Sequence, residues 1–529
     1  MILSLDAGTS CVKAALVVRS SSGALEVVGS ASAPIPPPSS AEVNGGAEQH
    51  AATWFSAASS ACAQALAVLP KEAVPVTLVA LSGQMQSVLL LDANGAALLP
   101  ALLYCDARAE TEAAAIAEAL GEARLMAAEN WKGSVSILPK LRWLLTHAPA
   151  ELEACSHIAL SAHDFLFAQL TGGPAVTDPT NASTTGLLLR ESSEAAYATT
   201  LLKDAGIPEA LVGKLPRVAC GADAFAPLSS AAAAALGLPP EGVRVHHGAG
   251  DLGTATVGAR LACSASSTYV YLGTSGWVAT VRPGGEPIEA PRAFCVRQPT
   301  GVGHIYAVPM TTAGGNIRWL CGLLFAGQHD AEALEAFNAE AAAAPPGCDG
   351  LLFLPYLRGE RCPINDPKAR ACFVGLGADT TRGHMCRAVL EGICFAVRSL
   401  LELLPADESP PPHAAAADAA DDGAAPPTLP PLPLVGGVGN SAVLAQSLSD
   451  VLQLRVVVPG DAAHVPAIGA AALAMAAAGP PWEESLAATT DCQAAASKLY
   501  SPTPEIKALY NSAYDRFCSL HPSLKDIFV

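Results

Sequence analysis

The sequence lacks the patterns that are typical of a disulfide-stabilised, zinc-binding or membrane-spanning protein. Its 15 cysteines are odd in number, scattered along the chain and never spaced as Cys-x-x-Cys, so neither a disulfide framework nor a zinc site is indicated. We expect these cysteines to be reduced and mostly buried. No uninterrupted run of about 18 large apolar residues occurs, so the sequence predicts no membrane-spanning helix.

Basic residues are also scarce. The 30 Lys and Arg residues against 48 Asp and Glu residues give a formal net charge of −18, which argues against nucleic acid or an anionic membrane as a partner. An apolar strand pattern begins at Ile2, so the chain as given has no room for a signal or transit peptide. These observations predict a cytoplasmic protein and say nothing about small anions as ligands.

The sequence is long and rich in apolar residues. Its 529 residues are 51% hydrophobic with a mean hydropathy of +0.34, which indicates two or more domains with ample cores. Each half opens with a turn between two strand patterns: Gly8-Thr9-Ser10 in the first half and Gly273-Thr274-Ser275 in the second. Because Gly8 and Gly273 lie 265 positions apart, the sequence predicts one supersecondary unit used twice, and hence two like domains. Two such turns facing each other would hold a polyphosphate through backbone N–H and hydroxyl groups.

A carboxylate flanked by glycines lies near the middle of the chain. Asp251 follows an apolar run that starts at Val243, and Gly250 and Gly253 stand on either side of it. By itself this pattern fits a polar turn residue better than a general base. The two Gly-Thr-Ser turns before and after it shift the balance towards the base, because a ligand can approach closely between glycines.

Further polar turns follow predicted strands. The stretch Gln84-Met85-Gln86 lies just beyond an apolar run, where open α/β sheets bind ligands. Asp106 fits an ordinary helix N-cap or a ligand contact. The polar stretch 177–186 has few charges and predicts a turn or a site, and the glycine-rich turn 436–441 fits a plain strand-to-helix connection or a nucleotide site. Residues 405–433 are rich in Pro, Ala and Asp, so we expect a disordered surface insertion there.

Taken in order, these motifs resemble the FGGY family of carbohydrate kinases over nearly the whole chain, and are most similar to its xylulokinases. The ordered co-occurrence and the segment Gly359-Glu360-Arg361-Cys362-Pro363 are the most specific part of the resemblance. Its other elements are Asp6-Ala7-Gly8-Thr9-Ser10, Glu48-Gln49 with Trp54, Ser82-Gly83-Gln84-Met85, Tyr104 to Arg108, Thr177-Asp178 with Asn181, Gly248 to Asp251, Gly273 to Gly276, Arg387 to Gly392, and Gly436-Gly437 with Gln446 and Asp450.

The resemblance implies an α/β fold with two ribonuclease-H-like (actin-like ATPase) domains around a central cleft. Residues 1–258 would bind the sugar, and residues 259–529 would bind ATP. The family pattern places Asp251 as general base and sugar contact, and Asp6 near Mg²⁺. It places the remaining sugar contacts at Gln84, Met85, Gln86 and Asp106, and the nucleotide contacts at Thr9, Ser10, Gly273, Thr274, Gly314, Gly436, Gly437 and Asn440.

The implied reaction is phosphorylation of D-xylulose to D-xylulose 5-phosphate by MgATP, by a chain that is compatible with a homodimer. Two departures from the family pattern bear on this: Gln86 stands where xylulokinases usually have His, and Val438 stands where glycine is usual. The alternatives are a kinase for another ketose or polyol, such as D-ribulose, glycerol or gluconate, an actin-like ATPase that acts on a protein, and a non-catalytic sugar sensor.

Overall fold

The computed structural model describes residues 1–21, 23–39, 45–69, 74–190, 192, 195–262, 266–282, 288, 292–325, 331–405, 430–479 and 497–528. Most of the expected insertion at 405–433 lies outside these residues, so its disorder stays a prediction. Within the described ranges, no helix is long and apolar enough to cross a bilayer.

The first sheet is built around Ile2–Ala7 (β1), whose six residues are all buried because both faces of the sheet are covered. Its neighbour on one side is the antiparallel strand Cys11–Arg19 (β2), which pairs with Leu25–Pro34 (β3). On the other side β1 pairs in parallel with Leu78–Gly83 (β4). Two further strands complete the sheet in the order β5-β6-β4-β1-β2-β3, namely Phe225–Pro227 (β5) and Arg244–Gly250 (β6).

The second sheet repeats this arrangement around Thr268–Leu272 (β7). An antiparallel hairpin joins β7 to Gly276–Arg282 (β8), and β8 pairs antiparallel with His304–Met310 (β10). Parallel strands again lie on the other side of the central strand. The remaining members of the sheet, whose order is β9-β10-β8-β7-β11-β12-β13, are Phe294–Arg297 (β9), Leu432–Val435 (β11), Val456–Val458 (β12) and Lys498–Tyr500 (β13). The prediction of one unit used twice is therefore confirmed.

Helices cover the sheets and carry several of the polar turns. In chain order, these helices include Ala51–Ala67 (α1), Ala162–Thr171 (α2), Pro179–Ser183 (α3), Asp251–Ala262 (α4), Gly314–Leu324 (α5), Arg382–Leu401 (α6), Ala442–Leu452 (α7), Val465–Ala478 (α8) and Lys507–Leu524 (α9). Others are Glu110–Leu120, Ile137–His147, Ser230–Leu236 and Ala331–Ala343. Paired short strands outside the two sheets include Glu48–Gln49 with Ala101–Leu102, and Leu352–Leu354 with Cys372–Val374.

Local sequence signals set several helix ends. The hydroxyl of Ser441 accepts the Leu444 N–H at the start of α7, as expected for a serine N-cap. Thr381 forms a capping box with His384 at the start of α6. Gly172 ends α2 in the left-handed conformation that glycine adopts readily, with φ 68°.

Helix α8 packs against the first sheet although it comes from the second half of the chain. Its apolar side, including Ile468 and Ala471, lies in one buried cluster with Val17 from β2 and Val257 from α4. The Ser4 hydroxyl of β1 donates to the Ala467 carbonyl at 2.7 Å. The two halves are therefore interleaved near the site, and the division of the chain at residue 258 stays a prediction.

Candidate active site

A cleft with about 720 Å³ of open space lies where the two halves meet. Both repeated turns reach it, Thr9 from the first hairpin and Ser275 with Gly276 from the second. The first half also contributes Gln84, Met85, Gln86, Tyr104, Thr184, Asp251 and Leu252, and the second half contributes Trp277, Phe294, Ala307, Pro309 and Arg361. The facing arrangement expected of the two turns is therefore present in the structure.

Asp251 lines the cleft as the first residue of α4, directly after the carboxyl end of β6. Its carboxylate accepts the Leu252 N–H at 2.8 Å. Burial, followed by the nearby charge of Asp6, raises the pKa of Asp251 to about 7. The Leu252 hydrogen bond and the charge of His163 act in the opposite direction without cancelling this effect. A carboxylate with a pKa near neutrality is suited to accept a proton from a bound hydroxyl.

Asp6 lies at the carboxyl end of β1, buried and held by the hydroxyl of Ser82, which donates to it at 2.9 Å. The Ser82 hydroxyl also contacts the Thr254 hydroxyl on α4 at 2.8 Å. The charge of Asp6 disfavours ionisation of Asp251, so the two carboxylates repel each other, although Asp6, unlike Asp251, is not among the residues that line the cleft. A divalent cation would offset that repulsion, and carboxylate oxygens are ligands that Mg²⁺ prefers, so the residues present fit the ion.

Side chains expected at the sugar are held by a hydrogen-bonded network. The Gln84 amide donates to Gln49 at 3.2 Å, and the Thr9 hydroxyl donates to the Gln84 carbonyl oxygen at 3.3 Å. Gln86 has a positive φ of 58° and donates its backbone N–H to Asn181. Its side-chain N–H donates to the Thr184 carbonyl at 2.7 Å, so the Gln86 amide is fixed.

Asp106 is not among the residues that line the cleft. Its carboxylate is fully buried, forms an ion pair with Arg108 at 2.6 Å and accepts the Ala47 N–H at 2.7 Å. The N-cap interpretation is wrong, because the next helix, Glu110–Leu120, has Ala109 at its N-cap and no side-chain cap. The carboxylate instead orders the loop before that helix. A role for Asp106 in sugar binding stays a prediction.

The six residues of the second half that are expected at the nucleotide lie at the carboxyl end of the second sheet, and none of them is among the residues that line the cleft. The Gly314 N–H, at the start of α5, donates to the Gly273 carbonyl at 2.9 Å, and Thr274 is exposed beside it. Gly436 ends β11 with φ 93°, and a Cβ there would lie 2.4 Å from the Leu272 carbonyl oxygen, so only glycine fits. Gly437 and Asn440 follow on the exposed side of the same turn. Ser10 is exposed in the first turn and does not line the cleft.

Sequence reasoning did not assign a role to several residues that line the cleft. Tyr104 and Arg361 were within recognised motifs, and the structure brings the Arg361 guanidinium 5.8 Å from the centre of the Tyr104 ring. Trp277 stacks on Tyr271 with ring centres 3.9 Å apart, and no polar pattern in the sequence signalled its place in the cleft. Thr184 follows α3, inside the polar stretch that predicted a turn or a site.

Comparison with known proteins gives consistent matches along the chain. The N-terminal domain model of the FGGY family of carbohydrate kinases matches residues 1–258, and the C-terminal domain model matches residues 268–478. A xylulose kinase of Streptomyces rubiginosus is 30% identical, over 90% of this chain and 87% of its own length. A gluconokinase of Bacillus subtilis is 26% identical, over 76% of this chain and 75% of its own.

Solved structures share the same fold. The ligand-bound xylulose kinase of Lactobacillus acidophilus superimposes with a TM-score of 0.76 at 22% identity, covering 100% of this chain and 99% of that one. At this identity the likeness is evidence for the fold alone. The expected α/β fold with two ribonuclease-H-like domains around a cleft is confirmed.

Proposed function

This chain belongs to the FGGY family of carbohydrate kinases and is an ATP-dependent sugar kinase, and from that premise we propose that it phosphorylates D-xylulose at the 5-hydroxyl, with Asp251 as general base. The family assignment sets aside the sugar sensor and the ATPase that acts on a protein. One observation carries the proposal: a carboxylate with its pKa raised to about 7 lines a cleft shared by the two glycine turns.

The proposed reaction needs positioning and charge neutralisation more than covalent chemistry. Asp251 accepts the proton of the sugar hydroxyl, the hydroxyl oxygen forms a bond to the γ-phosphorus of ATP, and ADP leaves. The backbone N–H groups of the turns at Thr9 and Thr274 are available to the phosphates. Asp6 would hold Mg²⁺, which when bound neutralises phosphate charge.

A neutral, hydroxyl-rich substrate fits the lining of the cleft. The amide groups of Gln84 and Gln86 and the hydroxyl of Thr9 offer donors and acceptors, while Met85 and Trp277 offer apolar walls. Because the amide N–H of Gln86 is engaged by Thr184, its carbonyl oxygen is the atom left to accept from a sugar hydroxyl. A site built to hydrogen-bond hydroxyls rejects analogues that lack them. Xylulose kinases among the relatives support D-xylulose as the first choice.

Gluconate is the second candidate, and Arg361 is the observation that favours it. This guanidinium lines the cleft and could pair with a sugar carboxylate, and a gluconokinase is among the relatives. D-Xylulose has no carboxylate for Arg361 to bind. The two substrates are therefore separated by their dependence on this one side chain.

The test is a substrate panel with coupled detection of ADP, using D-xylulose, D-ribulose, gluconate and glycerol. We expect the highest kcat/KM for D-xylulose and a value at least about tenfold lower for glycerol. We expect Arg361→Gln to leave the order of kcat/KM among the four substrates unchanged, as should the control Arg358→Gln, which changes an exposed arginine. A preference for gluconate that is lost only in Arg361→Gln would replace D-xylulose by the second candidate.

A further inference from the structure

A cluster of four ionisable side chains lies beneath the cleft and has no assigned role. His163 and Asp164 come from α2, Asp178 is the N-cap of α3, and His247 is in β6. All four are fully buried, and their ligand-forming atoms lie within 4.8 Å of one another. None of them lines the cleft.

The cluster is a chain of alternating imidazoles and carboxylates. His247 Nε2 lies 3.0 Å from Asp164 Oδ1, and His163 Nε2 lies 3.6 Å from the same oxygen. His163 Nε2 also lies 2.9 Å from Asp178 Oδ2. His163 is therefore the link between two buried carboxylates.

The charges favour an imidazolium at His163. Burial by itself would lower the pKa of His163, but the hydrogen bond that its Nε2–H donates to Asp178 and the charges of Asp164, Asp178 and Asp251 raise it above its ordinary value. Burial would likewise raise the pKa of Asp178, yet the hydrogen bond and charge of His163 hold it below its ordinary value. Two buried carboxylates without a cation between them would be strongly unfavourable.

A metal ion is a weaker explanation of this cluster. A metal-bound imidazole usually donates its other N–H to an oxygen acceptor, which fixes the orientation of the ring. Here the Nδ1 atoms of both His163 and His247 are buried without a hydrogen-bond partner among the described residues. An imidazolium at His163 would leave its Nδ1–H equally unpaired, so the distances decide: the Nε2 atoms of His163 and His247 lie 2.9 and 3.0 Å from carboxylate oxygens, which are the distances of direct hydrogen bonds and leave no room for an ion between the atoms.

Asp178 connects this cluster to the backbone just before Asp251, the proposed base. Its Oδ2 atom, besides contacting His163, accepts the N–H of Gly250 at 3.2 Å. Gly250 immediately precedes Asp251. The other oxygen of Asp178 accepts the N–H groups of Thr180 and Asn181 and so caps α3. One carboxylate therefore fixes both the end of β6 and the start of α3.

Helix α3, which Asp178 caps, makes hydrogen bonds to two other parts of the site. The Asn181 side chain accepts the Gln86 N–H at 3.2 Å on the sugar side. The Thr180 hydroxyl donates to the Arg297 carbonyl at 2.8 Å, and the Ser183 hydroxyl accepts the Arg297 N–H at 3.0 Å, on strand β9 of the second half. A shift of Asp178 would move the base, the Gln86 turn and this contact between the halves together.

We propose that His163 is a positioning residue for phosphoryl transfer, which holds Asp178 against the Gly250 N–H and thereby fixes where Asp251 is presented to the sugar hydroxyl. This inference rests on the proposed role of Asp251 as base. It assigns a function to the polar stretch 177–186, which the sequence left as a turn or a site. His163 acts through Asp178 and touches no substrate.

The test compares His163→Asn, which removes the cation, with His163→Lys, which keeps a cation between the two carboxylates. The assay uses the best substrate of the panel, and calorimetric titration of the sugar-binding sites gives kcat per functional site. On this basis His163→Asn should lower kcat by about 10- to 100-fold. KM for ATP should stay within about threefold, because its expected contacts lie in the second half. His163→Lys should recover most of the lost kcat.

Asp450→Asn is the matched control for simple destabilisation. Asp450 is also a buried carboxylate that accepts a backbone N–H, from Thr503 at 2.7 Å, but it lies in the second half on α7. The variant Asp450→Asn should lower the melting temperature without changing kcat per binding site. If His163→Asn behaves in the same way, the positioning role is wrong.

Two further results separate the explanations. A stoichiometric divalent metal in the purified protein that is lost in His163→Asn would overturn the proposal in favour of a metal site. Asp251→Asn is measured in parallel. If that variant keeps its turnover, the proposed base itself fails; if it is inactive while His163→Asn is fully active per site, only the positioning role fails.

Discussion

At the scale of single residues, the site depends on two carboxylates that repel each other. Asp6 ends β1 and Asp251 follows β6, with β4 between these two strands, and Ser82 of β4 bridges Asp6 to Thr254 on the helix that begins with Asp251. Burial, with the charge of Asp6 as the second cause, raises the pKa of Asp251, so that it can act as a base near neutrality.

The raised pKa predicts the acidic side of the pH profile. Because the pKa of Asp251 is about 7 rather than its ordinary 3.8, the base becomes protonated as the pH falls through 7, and kcat/KM should fall with it. Steady-state rates across this range give the profile. Asp6→Asn removes the neighbouring negative charge that helps to raise the pKa of Asp251. The residual kcat/KM of this variant should therefore fall at a lower pH than that of the wild type. A kcat/KM that is level through this range would contradict the assignment of Asp251.

Gln86 is the residue on which the choice of sugar depends. Its amide is anchored to Thr184, and an imidazole in Gln86→His can also donate one N–H while presenting a second nitrogen. We expect this variant to hold or improve kcat/KM for D-xylulose. The check is to measure D-xylulose and D-ribulose with both proteins. If the wild type prefers D-ribulose by about tenfold or more and the variant moves back towards D-xylulose, the choice of substrate is wrong while the mechanism stands.

The site residues that could be identified from the sequence were those whose neighbours along the chain are unusual. A carboxylate between glycines drew attention to Asp251, and the structure places it on the cleft. Asp106 was equally visible, yet its partners are Arg108, two positions away, and Ala47, so a local ion pair explains it. Trp277 could not be found in this way, because an aromatic residue in a strand usually marks core packing rather than a binding surface.

At the scale of elements, the repeated hairpin was the most informative signal. A strand, a Gly-Thr-Ser turn and a second strand recur, and the structure places both copies at the centre of matching sheets. Two helix ends also follow directly from local chemistry, the serine N-cap at Ser441 and the glycine end at Gly172. The interpretation of Asp106 as a helix N-cap was wrong, because an acidic residue near a helix can pair with an arginine instead of capping the helix.

The start of α5 is sensitive to a single methyl group. A Cβ at Gly314 would lie 2.6 Å from both the Gly273 carbonyl oxygen and the Val438 side chain, so the turn at Gly273 would have to shift. We expect Gly314→Ala to raise KM for ATP by about tenfold or more, with stability lowered by about 1–3 kcal/mol. Sugar affinity should be unchanged when measured by calorimetry.

Gly377 provides the matched control for this change. It is exposed, and a Cβ there would meet nothing within 4 Å, so Gly377→Ala should leave both KM values unchanged. An unchanged KM for ATP in Gly314→Ala would remove Gly314 from the nucleotide site.

At the scale of the whole molecule, the two halves meet through an edge strand. The Asn130 side chain pairs with both backbone groups of Cys295 in β9, at 2.6 and 2.9 Å, and the buried Arg297 forms an ion pair with Glu129. A single sequence gives no sign of these contacts, because their partners are more than a hundred positions apart and have ordinary neighbours. The sequence thus predicted the repeated fold and named as site residues five of the fifteen residues that line the cleft, but it did not predict the join between the halves.

Whether this cleft is the catalytic site is tested most directly by single-turnover phosphorylation of D-xylulose in Asp251→Asn. Asparagine keeps the size of the side chain but cannot accept the hydroxyl proton, so we expect the rate of phosphoryl transfer to fall by roughly 10²–10⁴-fold while sugar affinity stays within a few-fold. Rapid-quench measurement of D-xylulose 5-phosphate, with binding measured by calorimetry, gives both quantities. A variant that binds the sugar and transfers the phosphoryl group at the wild-type rate would contradict the proposed mechanism.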